Sequence, residues 1–222
     1  MGCLGPYTQY LEVNHLKDQI FKVFDNLKKY SLKDSLIKSI NLDIKQKSLC
    51  LLPIGKWILK EDILLKKINK KRNMHNKFFL NEVNNDIKLT KLFFKNILKE
   101  KNMCLFMITQ NLKSFLGIIG LRYTKNKFEI YFVLKLKKNQ YMDLSLKKLI
   151  IWARTKYKIK NFVVKVFSNN HRAKKLYYKC GFKLLSIRYL KKTTISGLSK
   201  HLFVKKNMSN VKYFYQTLFL RN

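Results

Sequence analysis

Residues able to do chemistry occur throughout this chain, but most stand in patterns that chemistry does not use. His15, His75, His171 and His201 are too dispersed to make a metal site or a catalytic pair. Cys3, Cys50, Cys104 and Cys180 have neither metal-ligand nor redox spacing, and three lie in apolar surroundings suited to buried thiols. Two stretches concentrate what remains. In the first, Glu129 is the only acid in the apolar strand Phe128–Val133, and Lys135, Lys137 and Lys138 follow it. A carboxylate so placed can take up a proton, and ammonium groups bind phosphate as point charges. In the second, Asn170, Ala173, Leu176, Tyr177, Gly181 and Phe182 stand at fixed intervals.

The elements that position the second stretch are legible. Val163–Phe167 is a short strand rich in β-branched residues. A Ser-Asn-Asn turn follows, and Asn170 can cap a helix by accepting a backbone N–H. Ala173, Leu176, Tyr177 and Cys180 recur at three- and four-residue spacing, which marks one buried helix face. Gly181 falls where the helix would end in the left-handed conformation, and Phe182 begins another strand. As physics alone this is a β-α-β unit with a capped helix and a core Tyr.

As a pattern, Asn170-x-x-Ala173-x-x-Leu176-Tyr177-x-x-x-Gly181-Phe182 resembles the C-terminal motif of the GNAT acyltransferases, the acetyl-CoA-dependent N-acetyltransferases. The resemblance implies that Asn170 and Ala173 lie beside the cofactor and that Tyr177 protonates the departing thiolate of coenzyme A. Glu129 stands where the RimJ/RimL-like members carry an acid, which implies a base for the acceptor amine, directly or through water; a Glu on the solvated face of the strand is the alternative. Phe132 and Val133 fall on the strand whose backbone polarises the thioester carbonyl in this family.

The expected fold is the α+β GNAT fold, a mixed and mostly antiparallel sheet flanked by helices. Cys104–Thr109, Phe115–Arg122 and Phe128–Val133 read as an antiparallel meander. Gly117 and Gly120 within a strand suggest close approach of another backbone, and Gly117-Ile-Ile-Gly120-Leu resembles the family's own strand. The helix at 144–153 places the pyrophosphate loop at Lys137, Lys138, Asn139, Gln140, Tyr141 and Met142. There the family carries glycines whose bare N–H groups and helix dipole hold the pyrophosphate. Here Gln140 and Met142 replace them, with side chains that can crowd the phosphates, and Asp143 adds a negative charge.

Residues 57–100 read as a helical block interrupted at Lys70–Asn73. Arg72-Asn73 followed by Phe78-Phe79-x-Asn81 resembles the acceptor-pocket floor of the subgroup with RimJ/RimL-type and nucleotide-linked amino-sugar transferases; the Trp that precedes Arg-Asn there is Lys71 here. Arg72, Asn73 and Phe79 are thus expected to contact substrate, with a solvated helix-end cation as the other reading of Arg72.

Three segments are expected: a helical extension over 1–50, the acetyltransferase domain over 51–205 after a boundary at Pro53-Ile54-Gly55, and a basic-aromatic tail over 206–222 docked on the domain. In the extension Leu16, Ile20, Val23, Phe24 and Leu27 form one stripe, and Ser31–Asp34 caps a second short helix. His201–Val204 is expected as the last strand.

Composition sets the outer bounds. The 222 residues are 47% apolar, enough for one good core, and carry 48 Lys and Arg against 12 Asp and Glu for a net charge of +36. The Lys residues are spread rather than striped, which suits a basic surface and anionic substrates better than a dedicated nucleic-acid face. No apolar run spans a membrane, no signal pattern opens the chain, and Pro6 breaks the myristoylation pattern, so the cytoplasm is the expected compartment. The function expected is acetyl transfer from acetyl-CoA to a primary amine, with no metal. A nucleotide-linked amino sugar of surface-glycan synthesis is the first acceptor and a protein N-terminus the alternative. A GNAT-fold module that has lost catalysis and binds RNA or a protein is the rival class.

Overall fold

The computed structural model describes residues 6–42, 49–81, 86–110, 114–137 and 141–221, with side chains from residue 14 onward. Among the described residues nine strands form one sheet in the order β1-β2-β3-β4-β5-β6-β9-β7-β8. They are β1 (Ile40–Asn41), β2 (Leu49–Pro53), β3 (Met103–Gln110), β4 (Ser114–Thr124), β5 (Lys127–Lys135), β6 (Phe162–Phe167), β7 (Lys183–Ile195), β8 (Leu198–Val204) and β9 (Tyr215–Leu220). The helices are α1 (Pro6–Lys29), α2 (Leu32–Ile37), α3 (Asp62–Met74), α4 (Ile87–Lys99), α5 (Met142–Tyr157) and α6 (His171–Lys179). Every neighbouring pair is antiparallel except β5 and β6, which run parallel. This is the expected α+β architecture.

The alternation of β3 explains the layering. Cys104, Phe106 and Ile108 face one core, which α1 and α5 cover, and Met103, Leu105 and Met107 face a second core, which α3 and α4 cover. A strand buried on both faces must be apolar, and β3 is so from Met103 to Ile108. The expected meander is present as β3, β4 and β5. Its glycines are where backbones crowd: a Cβ on Gly120 would stand 2.9 Å from the Cys104 carbonyl oxygen, and one on Gly117 would stand 2.9 Å from that of Leu134.

Four expectations are corrected. The N-terminal segment is not two short helices but the 24-residue α1 and the 6-residue α2. Ile20 and Phe24 of α1 are fully buried in the first core, where Phe24 meets the rings of Phe128 and Tyr157. Pro53 ends the fully buried strand β2 instead of marking a boundary. Helix α3 runs through Lys70–Asn73 without a break to Met74, because no residue there prevents it. The last strand is β9, which inserts between β6 and β7, so the expected tail forms an internal part of the sheet. The cap expected at Ser31 is present: Ser31 Oγ accepts from Asp34 N at 3.2 Å, and Asp34 Oδ2 accepts from Ser31 N at 3.1 Å.

Candidate active site

The sheet opens at one place. The β5–β6 ladder pairs Phe128, Glu129 and Ile130 with Phe162, Val163 and Val164 and ends there, although β5 continues to Lys135 and β6 to Phe167. Phe132 marks the departure. It adopts φ +50°, a conformation that costs a non-glycine residue about 1–2 kcal/mol, beside a register shift in the β4–β5 pairing. Past Ile130 the two strands no longer form a ladder with each other, and their facing backbone edges line a split that an extended ligand can enter as an added strand.

Tyr177 enters this region from α6. Asn170 caps the helix, its Oδ1 accepting from Ala173 N at 3.2 Å, and Gly181 ends it at φ +89°. Both features follow the sequence reading. Between them Tyr177 lies on the inner face, 4% exposed. Burial pushes its phenol well above the usual tyrosine range, and the neighbouring Tyr215 and Cys180 add to the effect. The side chain therefore keeps its O–H at neutral pH.

Glu129 is on the opposite face of β5 from Phe128 and Ile130, and it is buried instead of solvated. Its Oε2 accepts from Lys165 Nζ at 2.9 Å, and Arg122 Nη1 stands 4.0 Å away. The Arg122 guanidinium lies over the Tyr131 ring at 4.1 Å. The carboxylate thus sits in a charged cluster just behind the point where the strands part.

At the expected pyrophosphate loop, Lys138, Asn139 and Gln140 lie outside the described residues. Met142 does not point at a ligand. It begins α5 with its side chain buried in the first core, its Cε close under Gly117. Tyr141 has φ −88°, so neither described position needs glycine's conformational freedom. Asp143 is paired with Lys179 at 2.6 Å, and that contact holds its carboxyl below the ordinary range. Lys137 Nζ donates to Ser114 Oγ at 2.7 Å, and Lys135 is exposed. The α5 N-terminus, an inward Met142 and a neutralised Asp143 fit a bound pyrophosphate, and the split fits the extended arm of coenzyme A.

Across the split from α6 lies a cavity of about 310 Å³ between α3, α4, the Phe132 bulge and Leu198 at the start of β8. Arg72 and Asn69 of α3, with Thr90, Phe93 and Asn96 of α4, line it. The Arg72 guanidinium stacks on the Phe79 ring at 4.8 Å, and its Nη2 donates to the Asn81 carbonyl at 3.3 Å. Its Nη1 is buried and has no partner among the described residues. Desolvation lowers the Arg72 pKa from its ordinary value. Asn73 is not in the cavity wall; its Nδ2 donates to Asn69 Oδ1 at 2.8 Å, which orients the amide that is. Arg72 is therefore no solvated helix end, and Phe79 supports it from below.

The family model described as "Acetyltransferase (GNAT) domain" matches residues 60–183, more than half of the chain. The chain belongs to the GNAT acetyltransferase family. No curated sequence matches this acetyltransferase, but solved structures share its fold. One is RimL, a ribosomal L7/L12 α-N-protein acetyltransferase in complex with coenzyme A, at 12% identity and TM-score 0.61, covering 83% of this chain and 98% of that one. A second is spermidine N-acetyltransferase from Vibrio cholerae with coenzyme A and spermine, at 12% identity and TM-score 0.57, covering 79% and 96%. A third is the microcin C7 self-immunity acetyltransferase MccE with acetyl-CoA and AMP, at 16% identity and TM-score 0.57, covering 82% and 99%.

Two parts of this acetyltransferase's site escaped the sequence. Tyr215 of β9 pairs with Phe167 at the end of β6, beside the split, and Leu198 at the start of β8 lines the cavity. The alternation of Tyr213, Tyr215, Thr217 and Phe219 was the available signal for a strand. Nothing in the sequence said where that strand would insert.

Proposed function

We propose that this acetyltransferase moves an acetyl group from acetyl-CoA to the primary amine of a small anionic acceptor, a nucleotide-linked amino sugar. One observation carries the choice of acceptor. The cavity facing the split holds a buried guanidinium with a nitrogen that has no partner among the described residues, and none of the described lining residues is a carboxylate. A phosphate beside Arg72 satisfies that nitrogen and its charge, whereas a polycation there meets only repulsion. Phe93 and Phe132 offer apolar surface to a sugar ring. MccE, solved in complex with both acetyl-CoA and AMP, shares the fold.

Acetyl-CoA supplies an activated thioester. The protein orients it along the strand edges past Ile130 and at the α5 N-terminus, where Phe132, Val133, Lys135, Lys137, Tyr141, Asn170 and Ala173 are the contacts we assign. Tyr177 holds a proton on Oη for the sulfur as the carbon–sulfur bond breaks and the carbon–nitrogen bond forms. Glu129 takes the amine's proton, directly or through water.

The test has two steps. Acetyl-CoA is titrated calorimetrically with ATP as the polyanion control, and only a preference that survives rising salt counts. Initial rates are then compared for a nucleotide-linked amino sugar, the free amino sugar, spermidine and a peptide with a free N-terminus. Preference for the nucleotide-linked sugar, lost in Arg72→Ala, is expected. Preference for the peptide or the polyamine overturns the acceptor assignment, and absence of acetyl-CoA binding overturns the reaction.

A further inference from the structure

The cavity between α3 and α4 has a second polar group beside Arg72, and a neighbouring residue decides which way that group faces. Asn69 and Arg72 stand three positions apart on α3, so both fall on the helix face that lines the cavity. Asn69 is 5% exposed. A primary amide accepts at one end and donates at the other, and either end can point into a cavity unless something fixes it. Here Asn73, on the next turn of the helix and outside the cavity wall, gives a hydrogen from Nδ2 to Asn69 Oδ1 at 2.8 Å. The accepting end of Asn69 is thus held by α3 itself. Its Nδ2 has no partner among the described residues and is the end left for the cavity. Arg72 Nη1 is likewise a buried donor with no partner among the described residues. On the facing helix, Thr90 gives its hydroxyl hydrogen to the Asp86 carbonyl at 3.4 Å, and Asn96 is the remaining polar residue of the wall.

Two adjacent donors, one cationic and one neutral, suit a group that only accepts. We propose that Asn69 is a specificity-determining residue: its Nδ2 and Arg72 Nη1 donate together to a phosphate of the acceptor, and Asn73 is the positioning residue that keeps the donating end inward. A phosphate accepts both bonds and balances the guanidinium charge. The ammonium of a polyamine brings only hydrogens to a wall that already presents hydrogens. An Asn69 amide turned the other way would face the phosphate with its oxygen, and attraction would become repulsion. This assignment rests on the anionic acceptor proposed above and adds which atoms read it.

The probe is UDP, a nucleoside diphosphate without the reacting amine, titrated calorimetrically into protein saturated with acetyl-CoA so that the cofactor's own phosphate site is filled. Asn69→Ala is expected to weaken UDP about 10-fold, with acetyl-CoA affinity unchanged. Asn69→Asp separates a donor from a structural role. The carboxylate has nearly the same shape and keeps an oxygen for Asn73 Nδ2, so a structural role tolerates it. A donor role does not, and UDP should weaken about 100-fold as a negative oxygen replaces the N–H. Asn73→Leu changes no cavity-lining residue and should weaken UDP about 3-fold in the wild-type background and not at all in Asn69→Ala. UDP held equally by wild type and by the Asn69 variants overturns the donor pair. An Asn73→Leu effect that persists in Asn69→Ala overturns the positioning role. Wild-type protein that binds acetyl-CoA but not UDP overturns the anionic acceptor itself, and the donor pair falls with it.

Discussion

On one side of the split, β2 to β5 are covered on both faces, by α1 and α5 over one and α3 and α4 over the other. On the other side, β9, β7 and β8 have far less cover: Leu184, Leu185 and Ile187 of β7 are exposed, and most of β7 is solvated. Both halves contribute to the same site, but differently. The covered half supplies the Phe132 bulge, the α5 terminus and the Arg72 cavity, whose positions are fixed by a dense core. The open half supplies Tyr215 and Leu198 from strands held mainly by backbone ladders. A rigid wall faces a more adjustable one, and the cofactor's proposed path lies between them.

The most damaging change to this arrangement is removal of β9. Deleting residues 210–222 takes away the strand that both β6 and β7 pair with, and Leu218 with it from the first core. Loss of cooperative unfolding is expected, since two ladders and a core residue are removed from a domain stable by only roughly 5–15 kcal/mol. A thermal melt followed by circular dichroism checks it. An unaltered transition means that β9 is an accessory after all and that the expected tail was the better description.

Single truncations then compare the two halves directly. Phe24 is fully buried against Phe128 and Tyr157, so Phe24→Ala should cost about 3–5 kcal/mol in urea denaturation. Leu184 is 48% exposed in the open half, and Leu184→Ala should stay within about 0.5 kcal/mol. Similar values for the two would mean that the open half is covered in solution by something else. Amide exchange extends the comparison strand by strand: β3 and β4 should exchange only by global unfolding, and β7 and β8 by local opening.

The same division decided what the sequence revealed. The meander was legible because its strands alternate and its turns are short, so each element announces itself locally. The capped helix carrying Tyr177 was legible because Asn170 and Gly181 flank the two ends of one nine-residue helix. β9 was not, because its place depends on pairing with β6, nearly fifty residues earlier, and no local pattern encodes a partner at that distance. Met142 misled for a related reason. Its type suggested a side chain in the phosphate path, but which way it turns is set by the space over Gly117 on another strand. Arg72 and Phe79 were singled out as substrate contacts, and the structure stacks the guanidinium of one on the ring of the other. That Asn73 acts on Asn69 and not on the cavity required coordinates.

The smallest expected effect tests how the open half is fastened to the covered one. His201 of β8 donates its backbone N–H to the Leu80 carbonyl at 2.8 Å, and Asn81 bridges to Lys200 beside it. The imidazole is buried, its Nε2 is 3.2 Å from the Tyr213 hydroxyl, and its Nδ1 has no partner among the described residues. Desolvation depresses its pKa, and Lys192 pushes in the same direction. A depressed folded-state pKa means that the unfolded chain takes up the proton first. The contribution is therefore complete above the ordinary histidine value of about 6.5 and is lost as pH falls through the lower folded value. Melting temperature measured from about pH 7.5 down to about 5.5 should fall more steeply in wild type than in His201→Gln, which cannot titrate. The difference should be slight, since one partly shielded ring is involved. Parallel curves would show that His201 charges as easily in the folded protein as in the unfolded chain, and that the hairpin is not held closed by keeping this ring neutral.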